Sequence, residues 1–171
     1  MPDALRLFVG PRAALAPFKA LQGDVRFYVL TRDAELAVLP FGDALQDRMH
    51  DRYGTGDWPE NQGILLSTTD QSFAADCSQY GPIAYLQRDG IDGAELQAAA
   101  VWQHGHISVG PAMLDLGGAN ARRAAPLQPI NVALRALGVT VLPGQDEMSS
   151  FGLGDYADNV DIVARAWLVS D

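Results

Sequence analysis

Cysteine occurs once in this chain, as Cys77. A lone thiol excludes an intrachain disulfide and any zinc site built from several thiolates, and it suits a reducing compartment such as the cytoplasm. Lysine is nearly missing too, since Lys19 stands beside 11 arginines; that bias carries no functional inference. No stretch approaches the ~18 consecutive apolar residues of a membrane span. Nor do the first residues, MPDALRLFVGPR, read as a secretory leader, because Asp3 sits where such a leader is positively charged and no long apolar run follows. The sequence is read as mature from its first residue. Positive charge is also short: 12 Lys and Arg face 21 Asp and Glu, giving a net charge of −9 and a pI of about 4.6. Nucleic acid and anionic membrane surfaces need cations to neutralise phosphate, so neither is expected as a partner. Phosphate-loop, zinc-helix and calcium-loop motifs are absent from the sequence.

What is present suffices for one core. With 171 residues, 48% hydrophobic and 19% charged, the chain is expected to form a single globular domain spanning 1–171. Apolar patterning predicts strands over 5–9, 25–30 and 35–41, with a short helix after Arg12 that Pro17 limits. Leu45, Met49 and Tyr53 recur every four residues in a helix that Asp43 is placed to cap. Beyond the loop GTGDWPENQG, a buried strand over 64–67 leads into a helix with Phe73, Cys77 and Tyr80 on one stripe, stopped by Gly81-Pro82. Strands from Ile83, over 95–102 and over 106–109 then turn at RDGIDG and at Gln103-His104-Gly105, which makes an antiparallel meander at the centre of the sheet. Within it, QAAAV at 97–101 is small on both faces and allows close packing. A connection over 117–129 precedes a helix from Pro129 through Leu137, stopped by Gly138. An edge strand over 139–142, the polar loop PGQDEMSS and a last helix from about Tyr156 to Val169, striped by Val160, Val163, Ala164 and Trp167, complete the chain. The expected fold class is α+β: a mixed, mainly antiparallel central sheet with about four helices packed on it as a single layer.

Few residues offer catalytic chemistry. His104 and His106 stand two apart, and imidazoles so spaced on a strand share a face and can share a metal. Gly105 between them suits a hairpin turn better, and the nearest further ligand along the chain is the distant Asp115. Solvated turn histidines are the plainer reading. His50 reads as a surface residue. Cys77 would need a histidine and a carboxylate converging on it to act as a nucleophile, whereas Phe73 and Tyr80 put it on a buried stripe. HISVG at 106–110 lacks the first glycine of a nucleophile elbow. GLGDYA at 152–157 has no βα unit behind it, and its aspartate would repel phosphate. No catalytic residue, no cofactor and no metal ligand is therefore assigned.

Charge distribution carries more. Asp89-Gly90-Ile91-Asp92-Gly93, followed by Glu95, brings three carboxylates to one hairpin end. Asp-Gly pairs serve tight turns and the spacing does not match a calcium loop, so the group reads as an acidic rim. Net charge is −2 over 1–62, −5 over 63–118 and −2 over 119–171. A second acidic group, Asp146, Glu147, Asp155, Asp158 and Asp161, lies near the end. A shared face would attract a cationic partner and speed its association. In the loop GTGDWPENQG, Trp58 stands between Asp57 and Pro59-Glu60, an aromatic of the kind that anchors interfaces, flanked by acids that pair with Arg or Lys. The expected partner-binding residues are Trp58, Asp57, Glu60, Asp89, Asp92 and Glu95. They suit a non-enzymatic, cytoplasmic, bacterial-type immunity or inhibitor protein that masks a basic partner protein. A small metal-assisted hydrolase using His104, His106 and Asp115 is the first alternative, and a structural component of a larger assembly is the second.

Overall fold

A computed structural model describes residues 4–15, 25–31, 35–58, 64–91, 94–117 and 125–169. Its strands are β1 (Ala4–Pro11), β2 (Tyr28–Val29), β3 (Leu36–Pro40), β4 (Ile83–Ile91), β5 (Ala94–Gln103), β6 (His106–Asp115) and β7 (Trp167–Leu168). The helices are α1 (Arg12–Leu15), α2 (Asp43–Tyr53), α3 (Thr68–Cys77), α4 (Pro129–Ala136), α5 (Glu147–Phe151) and α6 (Asn159–Arg165). All seven strands join one sheet in the order β6-β5-β4-β1-β3-β2-β7, and every described pairing is antiparallel. The class is α+β, as expected, and the β4-β5-β6 meander forms, with β4 running on to Ile91 through residues expected to turn and β6 running on to Asp115 past the expected end at Val109.

Helices cover both faces of this sheet, where a single layer was expected. The reason lies in the strands, whose successive side chains alternate between two apolar cores. Leu5, Leu7 and Val9 of β1, Ala84 and Leu86 of β4, and Ala99 and Val101 of β5 enter one core with Ile130 and Leu134 of α4, Phe151 of α5 and Ile162 of α6. Phe8, Ile83, Tyr85, Ala100 and Trp102 enter the other, with Leu15 of α1, Leu45 and Met49 of α2, and Phe73, Ala74 and Cys77 of α3. Strands apolar on both sides cannot leave either side in water. An aromatic group forms the centre of the second core, where the Phe8 ring lies 4.9 Å from Phe41, 5.1 Å from Phe73 and 6.0 Å from Tyr85 between centroids.

Several boundaries differ from the sequence reading. Residues 64–67 run outside the sheet, because side chains and not a neighbouring strand occupy the Leu65 backbone. Helix α3 begins with a capping box between Ser67 and Asp70 and ends at Cys77, so Tyr80 falls beyond it and is exposed. Gly42, not Asp43, precedes the first turn of α2, with no side-chain cap. No strand forms over 139–142, where the Leu142 N–H donates to Ser150 Oγ. The last helix is shorter than expected, since Asp158 caps α6 and the chain straightens at Ala166 to pair Trp167 and Leu168 with β2. Ile162, not the Val160–Val163–Trp167 stripe, is its buried residue. The helix reading past Leu15 lies outside the described residues. Among those described, no helix is long and apolar enough to cross a membrane.

Candidate functional site

The loop after α2 lies against the first turn of α3. The Asp57 N–H donates to Thr68 Oγ1 at 3.0 Å, the Thr68 N–H returns a bond to the Asp57 carbonyl at 2.9 Å, and Thr69 Oγ1 donates to the Gly54 carbonyl at 2.7 Å. Gly56 permits this approach, for a Cβ there would stand 2.5 Å from both Thr68 Oγ1 and Thr69 N. Trp58 leaves the protein one residue past these tethers and is 56% exposed. Asp57 is exposed beside it, while Glu60 lies outside the described residues. No Lys or Arg occurs between Arg52 and Arg88, so loop and helix α3 supply only negative charge. On α2, Asp43, Asp47 and Asp51 are exposed at four-residue spacing; Arg48 approaches Asp51 at 3.9 Å across exposed surface, a contact worth little in water.

Of the hairpin acids, Asp89 and Glu95 lie on opposite faces of the sheet. Register pairs Gly90 with Glu95 and Asp89 with Leu96, which sends Asp89 to the α2/α3 face and Glu95 to the α4 face. Asp89 accepts from Gln87 Nε2 at 2.6 Å and Glu95 from Gln97 Nε2 at 2.7 Å. Asp92 lies outside the described residues. Other acids from the same region are taken up by the fold: Asp70 is buried in its capping box, Asp76 accepts from the Tyr53 hydroxyl at 2.6 Å, and Asp115 holds the Gly117 N–H. Near the chain end, Glu147 pairs with Arg135 at 2.6 Å and Asp161 with Arg165 at 2.8 Å, while Asp146 and Asp158 cap α5 and α6. The described carboxylates over 63–118 thus serve more than one face of the sheet.

The histidine alternative is not assembled. His104 occupies the tight turn at φ 52°, His106 opens β6 and Asp115 closes it, roughly 30 Å away at ~3.3 Å per strand residue. Among the described residues no three His, Cys, Asp or Glu side chains gather to hold a metal ion. Cys77 is fully buried, and burial, with the Asp76 charge in support and Arg52 opposing, pushes its thiol up and away from the reactive thiolate.

A polar ladder went unnoticed in the sequence. Strand register sets Arg6 opposite Gln87, Phe8 opposite Tyr85 and Ala4 opposite Asp89, so Arg6, Tyr85, Gln87 and Asp89 follow one another on the α2/α3 face. Arg6 Nε donates to Tyr85 Oη at 3.3 Å, its Nη2 donates to the Leu65 carbonyl, and its guanidinium lies 4.4 Å from the Phe41 ring centre. Tyr85 Oη stands 2.8 Å from both the Leu65 carbonyl and Gln87 Oε1, and its one proton serves them in turn. Gln87 Oε1 also accepts from the Leu65 N–H at 2.8 Å. Burial pushes the Tyr85 hydroxyl up despite the Arg6 charge. Asp89 Oδ1 is buried without a hydrogen-bond partner among the described residues. The ladder opens at Arg6 onto a cleft of about 500 Å³ between α2 and α6, whose lining includes Phe41, Asp43, Leu65, Asp158 and Val160. The signal was available: Arg6 holds a core-facing position in LRLFV, and Gln87 and Asp89 continue the inward phase of Ile83 and Tyr85.

No protein-family model matches this chain, and neither a curated protein nor a solved structure does.

Proposed function

We propose that this chain is a non-enzymatic binding protein that holds a basic protein partner, in the manner of an immunity or inhibitor protein, with Trp58 as the anchor. The observation that carries the reading is the exposed indole on a backbone fixed by the Thr68 hydrogen bonds. A large aromatic already held outside the core loses little freedom when a partner covers it. Asp57 beside it, with Asp47 and Asp51 the next exposed acids back along the chain, supplies charges for Arg or Lys on the other side. The net charge of −9 favours encounter with a cation and disfavours nucleic acid. Glu95 leaves the docking set because it lies on the α4 face of the sheet, and Asp89 is already engaged by Gln87. A cytoplasmic location belongs to the same reading, since Cys77 stays reduced there.

The test compares wild type with Trp58→Ala, an exposed substitution that leaves the core intact, as baits for lysate of the source organism. Wild type is expected to retain a basic protein that about 0.5 M salt releases, because screening shortens the Debye length to a few ångströms. Trp58→Ala is expected to retain at least about tenfold less, the loss typical of an interface anchor. Equal retention by both baits, or the absence of any basic protein selective for wild type, overturns the reading.

A further inference from the structure

An arginine on the core-facing side of a strand is costly to bury, and the usual remedy is a carboxylate. Arg6 makes no ion pair among the described residues: its hydrogen-bond and ring partners are a tyrosine hydroxyl, a backbone carbonyl and Phe41, all neutral, Nη1 makes no hydrogen bond there, and Asp70, the carboxylate that feels its charge, is bound into the Ser67 capping box. The guanidinium therefore keeps free N–H groups where Arg6 helps to line a cleft of about 500 Å³, a size typical of small-molecule sites. Phe41, Leu65 and Val160 give the cleft apolar wall. Its rim is acidic. Asp158 uses Oδ1 to cap α6, whereas the exposed Asp43 carboxylate makes no hydrogen bond among the described residues. A simple anion would meet these two carboxylates and a net charge of −9 before reaching Arg6. A ligand that carries its own cation meets no such barrier.

We propose that this cleft binds a small zwitterion of the α-amino-acid class, its carboxylate on the Arg6 guanidinium, its ammonium toward Asp43 and an apolar side chain against Phe41, Leu65 and Val160. Planar guanidinium forks match carboxylates with two N–H groups at once. The site goes beyond the partner-binding reading and does not depend on Trp58.

The experiment is a titration of the full chain with L-phenylalanine, L-leucine and L-methionine, followed by NMR at the Arg6 Nε–H and the amides of Gly42 and Val160. N-acetyl-L-phenylalanine and L-phenylalaninamide serve as probes that each lack one charge. At least one amino acid is expected to give saturable shifts at these positions, with each single-charge analogue at least about tenfold weaker. Asp43→Asn is expected to weaken binding by a similar factor without loss of fold, and Arg6→Lys to weaken it by removing the fork. Absence of saturable shifts with all three amino acids overturns the proposal. So does equal binding of the N-acetyl analogue, which would leave a plain carboxylate site, or an unchanged affinity in Asp43→Asn.

Discussion

The two faces of the sheet treat buried polarity differently. On the α4 face, each buried polar side chain helps hold a helix. Gln97 Oε1 accepts from the Ile130 N–H of α4 at 3.5 Å, Asn131 joins the Ala125 carbonyl to the Met148 N–H of α5, and Glu147 meets Arg135. On the α2/α3 face, polarity exceeds what the fold uses. Arg6, Tyr85 and Gln87 do support the extended segment at Leu65, but among the described residues Arg6 makes no ion pair and Asp89 Oδ1 has no donor. Native structures leave few buried polar atoms unpaired, and the exceptions call for an explanation. One sheet thus shows side by side polarity placed for stability and polarity placed for something else, and the second kind marks where to look for binding.

The largest expected effect breaks the α4 face. Leu134→Ala removes a fully buried side chain from the centre of its core and should cost about 2–5 kcal/mol in urea unfolding, while leaving binding at the Arg6 cleft unchanged in whatever remains folded. Arg6→Met is the sharper comparison, because it deletes the charge and keeps much of the apolar stem. Two hydrogen bonds are lost, to Tyr85 Oη and the Leu65 carbonyl, but so is the cost of holding a cation half-buried without an ion pair. The net cost should be about 1–2 kcal/mol, clearly below that of Leu134→Ala, with amino-acid binding abolished. If Arg6→Met destabilised the protein as much as Leu134→Ala, Arg6 would be a structural brace and the contrast between the faces would disappear.

How far each part could be read from the sequence follows the same division. Meander strands β4, β5 and β6 were legible because apolar alternation and turn residues agree there, and α4 because Pro129 starts it and Gly138 follows it. The second helical layer was hidden in QAAAV: Ala98 to Val101 serve both cores, so small residues on both faces implied cover on both faces. Residues 64–67 looked like a strand because they are apolar, yet what completes their hydrogen bonds is side chains from β1 and β4, distant in sequence. Trp58 was found from its loop composition, while its exposure depended on Gly56 and Thr68 meeting in space. Asp89 and Glu95 looked like neighbours because sequence proximity hides strand parity. Arg6 drew no reading because LRLFV is apolar on either side of it, although its phase with Phe8 points it in.

The smallest effect sharpens the comparison through two aspartates that begin helices on opposite faces. Burial raises Asp70 at the start of α3, and the hydrogen bonds from the Ser67 backbone and hydroxyl, with Arg6 and His50 nearby, do not fully offset it. Burial also acts on Asp146 at the start of α5, but there the bonds from Ser149 and Asn131 prevail and hold its carboxyl below the ordinary 3.8. A lowered native pKa means that ionised Asp146 stabilises the fold above the unfolded value, and this is lost as pH falls through the native one. A raised native pKa means that ionised Asp70 weakens the fold, and protonation relieves the strain as pH falls through that value. Urea midpoints of wild type, Asp70→Asn and Asp146→Asn, measured from neutral pH down to about pH 3 where model carboxylates titrate, should diverge in opposite directions. On acidification wild type should lose its advantage over Asp146→Asn and gain relative to Asp70→Asn. Slopes of the same sign would mean that the two helix starts are electrostatically alike, and the contrast between the faces would then rest on Arg6 and Asp89 alone.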